Sequence, residues 1–101
     1  MNVLIRSSEF DAWLRALADH TAKARVLARL GSAAHGNFGD VAPVGGGVSE
    51  MRIHVGPGYR VYFVRMGLTT YILLAGGDKA TQRNDIARAK ILAAELKADR
   101  P

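Results

Sequence analysis

Residues 52–63, RIHVGPGYRVYF, alternate in side-chain character on both sides of a Gly-Pro-Gly turn. Successive side chains of a β-strand point to opposite faces, so the alternation sorts these residues into two sets and argues against a helix. With Gly56-Pro57-Gly58 taken as a three-residue loop, Val55 faces Tyr59, His54 faces Arg60 and Ile53 faces Val61. Arg52 then faces Tyr62, Met51 faces Phe63 and Glu50 faces Val64. Met51, Ile53, Val55, Val61 and Phe63 share an apolar face. Glu50, Arg52, His54, Arg60, Tyr62 and Val64 share the other. A slip of one residue would drive charges into the core, so the pattern itself resists it.

The remaining segments supply what that apolar face needs. Val3 to Arg6 is a short β-prone run. Ser8 is a candidate N-cap, with Glu9 and Asp11 in the first turn where the helix dipole favours acids. Phe10, Trp13, Leu14 and Leu17 then form one helical stripe. Asp19-His20 interrupts it, and Thr21 is a candidate cap for a second helix with Val26, Leu27, Leu30 and Ala33 as its stripe. Residues 36–47, GNFGDVAPVGGG, are rich in turn formers, with room for a short extended piece at Val41 to Val44. Three β runs follow, Val48–Val55, Tyr59–Met66 and Thr69–Ala75, with linkers of hairpin length. A last helix spans Lys79 to Lys97, with Thr81 as cap and Ile86, Ala89, Ala93 and Leu96 on its buried side.

The predicted order is β-α-α-β-β-β-α, an α+β class. The predicted architecture is one antiparallel twisted sheet packed on one side by the N-terminal α-hairpin, with the other face partly open. At 101 residues the chain fits a single domain, 1–101. Trp13 is expected as a core anchor between the hairpin and the sheet.

Charge narrows the function classes. The net charge is +5, which draws polyanions toward a small domain. The excess is localised: Arg52 to Lys90 carries seven cations against Asp78 and Asp85. With no cysteine, disulfides and thiolate metal sites are excluded. His20, His35 and His54 are scattered without ligand spacing, so neither a metal nor a cofactor is expected. His20 and His35 are expected at helix ends. No apolar run approaches the ~20 residues of a membrane span. No signal peptide is apparent, and a cytoplasmic protein is expected.

Two readings fit the polar hairpin face. It is a solvated surface whose Arg stems pack on Tyr62 through cation–π contacts. Alternatively it is a preformed anion site, with Arg forks for phosphate and Tyr62 as a stacking ring or proton source. Gly76-Gly77-Asp78-Lys79 and Arg83, at the start of the last helix, extend the basic surface. The P-loop spacing is absent.

The stretches GNFGDVAPVGGGVSEMRIHVGPGYRVYF and LLAGGDKATQRNDIARA resemble the HigB-like addiction-module killer proteins, a small-toxin branch of the RelE/ParE superfamily. The resemblance runs from about Val3 to Leu96. It implies a RelE-like fold and a toxin encoded in a type II toxin–antitoxin operon. The implied partners are a cognate antitoxin, often a helix-turn-helix protein, and mRNA on the ribosome. Position by position, the two basic residues before the family's GYR turn fall on Arg52 and His54. The GYR arginine falls on Arg60, and the basic residue after the last strand falls at Lys79 or Arg83. Several relatives use a Tyr or His near the last helix as acid or base. This chain has neither after Tyr71.

The expected activity is therefore a ribosome-dependent mRNA endonuclease in which the RNA 2′-OH attacks the adjacent phosphorus without a metal. Arg52, Arg60 and Arg83 are assigned to phosphate, His54 to proton removal, and Tyr62 to stacking or donation. Lys79, Arg25 and Arg29 are candidate RNA-binding residues; Arg25 and Arg29 fit equally well as solvated side chains or as contacts to an acidic antitoxin. Two alternatives stand beside this: a ParE-like toxin that inhibits gyrase without nuclease activity, and a non-catalytic basic binding module.

Overall fold

The structure is a computed structural model that describes residues 1–99. Its elements are β1 (Val3–Arg6), α1 (Ser8–Ala16), α2 (His20–Ala34), β2 (Val41–Gly45), β3 (Val48–Ile53), β4 (Tyr59–Arg65), β5 (Thr70–Asp78) and α3 (Gln82–Ala98). The α+β class matches the sequence reading. The sheet has five strands, in the order β1-β5-β4-β3-β2. It is mixed rather than antiparallel, because β1 runs parallel to β5.

The caps of α1 and α2 differ by one or two residues from expectation. Ser7, not Ser8, caps α1, its hydroxyl accepting from the Phe10 amide. Asp19, not Thr21, caps α2 by accepting from the Ala22 amide. A carboxylate held on orphan amides outcompetes the threonine two residues later. Thr81 does occupy the cap position of α3, but its hydroxyl donates to Asp85 Oδ2 instead of capping an amide. His20 begins α2 and His35 ends it, as expected.

The segment expected as loop with a short extended piece holds a full edge strand. β2 pairs antiparallel with β3, and Gly45 lies opposite Val48. Gly46 and Gly47 make the two-residue turn with φ of 64° and 80°. Positive φ at both central positions is the twist that suits a tight hairpin, and glycine adopts it without strain.

The β3–β4 register differs from expectation by two residues. Ile53 pairs with Tyr59, Arg52 with Arg60, Met51 with Val61, and Glu50 with Tyr62. The connecting loop runs from His54 to Gly58, with Gly56 and Gly58 at positive φ. A two-residue shift keeps every side chain on its face, so the apolar pattern could not choose between these pairings. Turn geometry chose.

Two apolar cores result. α1 and α2 bury Phe10, Leu14, Val26 and Leu30 against Met51, Ile53, Val61, Phe63 and Leu73. Burial of each such side chain contributes about 1.5–3 kcal/mol. Trp13 packs against this core as expected, and a Cβ on Gly76 would run into its indole, so the ring lies directly on the β5 backbone. Leu27, assigned to the buried stripe, is 41% exposed.

The opposite face is not open. α3 lays Ala89 and Ala93 on Val48, Tyr62, Val64, Leu74 and Ala75, forming the second core. Small alanines let the helix approach closely. The adjacent Leu74 and Ala75 of this core sit at a bulge, where Tyr62 pairs with Ala75, Phe63 pairs with Leu73, and Leu74 is the extra residue. No helix among the described residues is long and apolar enough to cross a membrane.

Candidate functional site: a basic cleft at the β3–β4 turn

On the face beneath α3, three cross-strand pairs run from core to rim: Val48 with Val64, Glu50 with Tyr62, and Arg52 with Arg60. Their chemistry changes in step with depth. The valines are buried, Glu50 is 3% exposed, and Tyr62 is fully buried. The Arg60 side chain is 12% exposed and that of Arg52 is 37% exposed. The ladder emerges at a cleft of about 460 Å³, whose lining includes Arg52, His54, Tyr59, Arg60, Lys79 and the turn 55–58. Among the described residues no acidic side chain lines it.

Two guanidinium groups placed directly opposite one another repel. Glu50 supplies the counter-charge: its Oε1 lies 3.4 Å from Arg60 Nε and 3.9 Å from Arg52 Nε. Its Oε2 accepts a 2.7 Å hydrogen bond from Gln82 Nε2, on the first turn of α3. Arg60 Nη1 also donates to the Gly58 carbonyl at 2.9 Å, which ties it to the turn. Arg52 Nη2 lies 3.4 Å from Asp40 Oδ1. Both Nε atoms are buried and make no hydrogen bond.

Asp40 serves His54 as well. Its Oδ2 lies 2.7 Å from His54 Nε2. That hydrogen bond, helped by the charge of Arg52, holds the Asp40 carboxyl below the usual carboxylate range against a smaller opposing effect of burial. The carboxylate also sets the orientation of the ring: with Nε2 engaged, Nδ1 is the nitrogen left to work with.

Of the sequence-predicted residues, Arg52, His54, Arg60 and Lys79 come together in the cleft. Tyr62 does not. Placed by sequence on an open face, it is sealed under α3, and its hydroxyl makes no hydrogen bond. Burial, then the charges of Glu50 and Asp85, push its pKa well above the ordinary phenol value. A ring at that depth cannot stack on a base. Tyr59 lines the cleft in its place, its ring centroid 6.3 Å from that of Trp13.

Arg83 is exposed on the first turn of α3 and is not among the cleft residues. Arg25 is exposed on α2. Arg29 is a latch rather than a free cation: its guanidinium donates to the carbonyls of Arg52 at 2.6 Å and Phe38 at 2.9 Å. Those bonds pin the segment that carries Asp40 against the end of β3.

No family model matches the chain. It is 46% identical over 97 residues to a Haemophilus influenzae protein described as an uncharacterized protein, a match covering 95% of this chain and 98% of that one. The chain belongs to that protein's family. The identity extends over nearly all of both chains, so the strands and helices that build the cleft fall within it.

Asp40 and Gln82 escaped the sequence reading. Asp40 lies in a glycine-rich stretch with no periodicity, and Gln82 approaches Glu50 only because α3 folds back over β3. Glu50 carried a signal: it is an acid two residues from Arg52 on the same strand face.

Proposed function

We propose that this protein is the toxin of a type II toxin–antitoxin system, with a RelE-like fold, and that it cleaves mRNA on the ribosome in the cytoplasm. The observation that carries this reading is the pairing of Arg52 with Arg60 across β3 and β4, in a cleft lined also by His54 and Lys79 and, among the described residues, by no acidic side chain. Such a cleft suits a phosphodiester. Donors set in place before the reaction can stabilise the charge that grows on the phosphorane oxygens. The RNA 2′-OH attacks the adjacent phosphorus as its proton passes to His54, which Asp40 orients. The phosphorus–O5′ bond breaks, leaving a 2′,3′-cyclic phosphate, and the departing 5′-oxygen takes up a proton. Tyr59 assumes the stacking role that the sequence assigned to Tyr62. The resemblance to HigB-like killer proteins supports the same reading and implies an antitoxin partner.

Induced expression followed by primer extension on cellular mRNA tests it. Codon-phased cuts within minutes, absent from Arg60→Ala, are the expected result. Intact mRNA together with growth arrest would sink it. The burial of Tyr62 favours a second reading, because of the two proton-transfer candidates, His54 and Tyr62, it leaves His54 alone in the cleft. Under that reading the cleft binds without cutting, as a gyrase-inhibiting toxin of the ParE kind or a basic docking module. Chromosome breakage with intact message would mark the gyrase inhibitor. Normal growth would mark the module.

A further inference from the structure

Among the described residues Glu50 alone combines a charge with full burial, at 3% exposure. A carboxylate is kept at such depth only where its surroundings compensate the lost hydration. Here the compensation is directional. Gln82 holds Oε2 at 2.7 Å and thereby fixes the rotation of the carboxylate. Oε1 is left between Arg60 Nε at 3.4 Å and Arg52 Nε at 3.9 Å, and neither buried Nε has a hydrogen-bond partner. On their other edges, Arg60 is held by the Gly58 carbonyl and Arg52 by Asp40. Each guanidinium is thus constrained from two sides, with Glu50 as the shared side.

We infer that Glu50, oriented by Gln82 of α3, is a positioning residue that sets the spacing and angle of Arg52 and Arg60 for a single phosphate group. This rests on reading the cleft as a phosphate site, and it ties that site to the docking of α3. Like charges opposed across two strands drift apart unless a third group holds them. A buried acid also lowers the attraction of the cleft for any anion. Its presence makes sense as a cost accepted for geometry, since held donors serve a transition state better than loose ones.

The full chain, the Arg Nε–Hε resonances in ¹H–¹⁵N spectra, and inorganic phosphate as probe provide the test. Wild type is expected to show slowly exchanging signals from Arg52 and Arg60 that shift as phosphate is added. Glu50→Gln removes a negative charge beside two cations. Simple attraction would then tighten phosphate binding. Positioning requires the reverse: binding weaker by about tenfold and rapid exchange of both signals. Gln82→Met keeps the charge of Glu50 and the bulk of the side chain, and covers the case of a Glu50 variant that does not fold. It should give the same changes at about one third of the size. Tighter binding by Glu50→Gln, or unchanged signals and affinity in Gln82→Met, overturns the proposal. A wild type that ignores phosphate overturns it together with the nuclease reading. A wild type that binds phosphate with both signals ordered, yet leaves mRNA intact, ends only the nuclease reading.

Discussion

The two faces of the sheet are built from the same strands and end in opposite chemistry. Beneath α1 and α2 the face is apolar from Phe63 and Leu73 through to Ile53 and Tyr59 at the turn. Two helices cover it, and aromatic rings close its margin: Phe38 lies 5.2 Å from Phe63 and 4.9 Å from Tyr71 between centroids. Beneath α3 the apolar part stops at Tyr62, and Glu50, Arg52 and Arg60 follow. One helix begins at Gln82 and runs away from the turn, so it seals one end of its face and leaves the other wet. A strand pattern of strict alternation gives each face its residues. The length of cover decides whether those residues become a core or a site.

The largest test of this contrast is Phe10→Ala on the sealed face. Phe10 is fully buried, and the cavity left should cost about 3–5 kcal/mol, read as a shift of the urea midpoint. A shift below about 1 kcal/mol would mean that the α1/α2 face is not the principal core. On the wet face, under the proposed nuclease reading, Arg60→Ala should remove growth arrest, with RNA cleavage slowed on the order of 10²–10³-fold in protein that circular dichroism shows to be folded. Full toxicity of that variant would deny the cleft its role.

Gly76→Ala comes next. The added Cβ meets the Trp13 ring, and overpacking of this kind costs about 1–3 kcal/mol. Lower stability with a blue- or red-shifted Trp13 emission is expected. Unaltered fluorescence and stability would show that the indole does not rest on β5.

Tyr62→Phe sharpens the comparison because it separates burial from catalysis. Its hydroxyl is buried without a partner, so its removal should be neutral or stabilising by up to about 1 kcal/mol, and under the proposed function toxicity should be retained. Folded Tyr62 holds its proton above the ordinary value of 10.0, at which the unfolded chain ionises. Wild type should therefore lose stability as pH rises past that value, and the variant should lose less. An inactive Tyr62→Phe would contradict the placement of the site.

The smallest expected effect is at the rim. The Asp40 carboxyl is held low by His54 and Arg52. Its contribution to stability is present at neutral pH and fades as pH falls below the ordinary carboxylate value of 3.8 toward its lowered folded value. Asp40→Asn should flatten that acid limb slightly. If His54 is the base, the same variant should also shift the pH profile of cleavage. An acid limb identical to wild type would show that the pair is a surface contact only.

By itself the sequence determined which side chains share a face. Alternation along Arg52–Phe63 put Arg52 and Arg60 together, and the stripes through Phe10, Leu14, Val26 and Leu30 named most of the main core. These are local properties, set by the two-residue period of a strand and the 3.6-residue period of a helix. Tertiary structure decided the rest. It set the pairing of Arg52 with Arg60, because an even slip leaves the faces unchanged and only the five-residue turn distinguishes the registers. It made an edge strand of Val41–Gly45 by giving it β3 as a partner. It sealed Tyr62, exposed Tyr59 to the cleft, spent Arg29 on backbone carbonyls, and brought Gln82 to Glu50 across 32 residues of sequence. Depth and partnership depend on what folds over a strand, and no period in the strand records that.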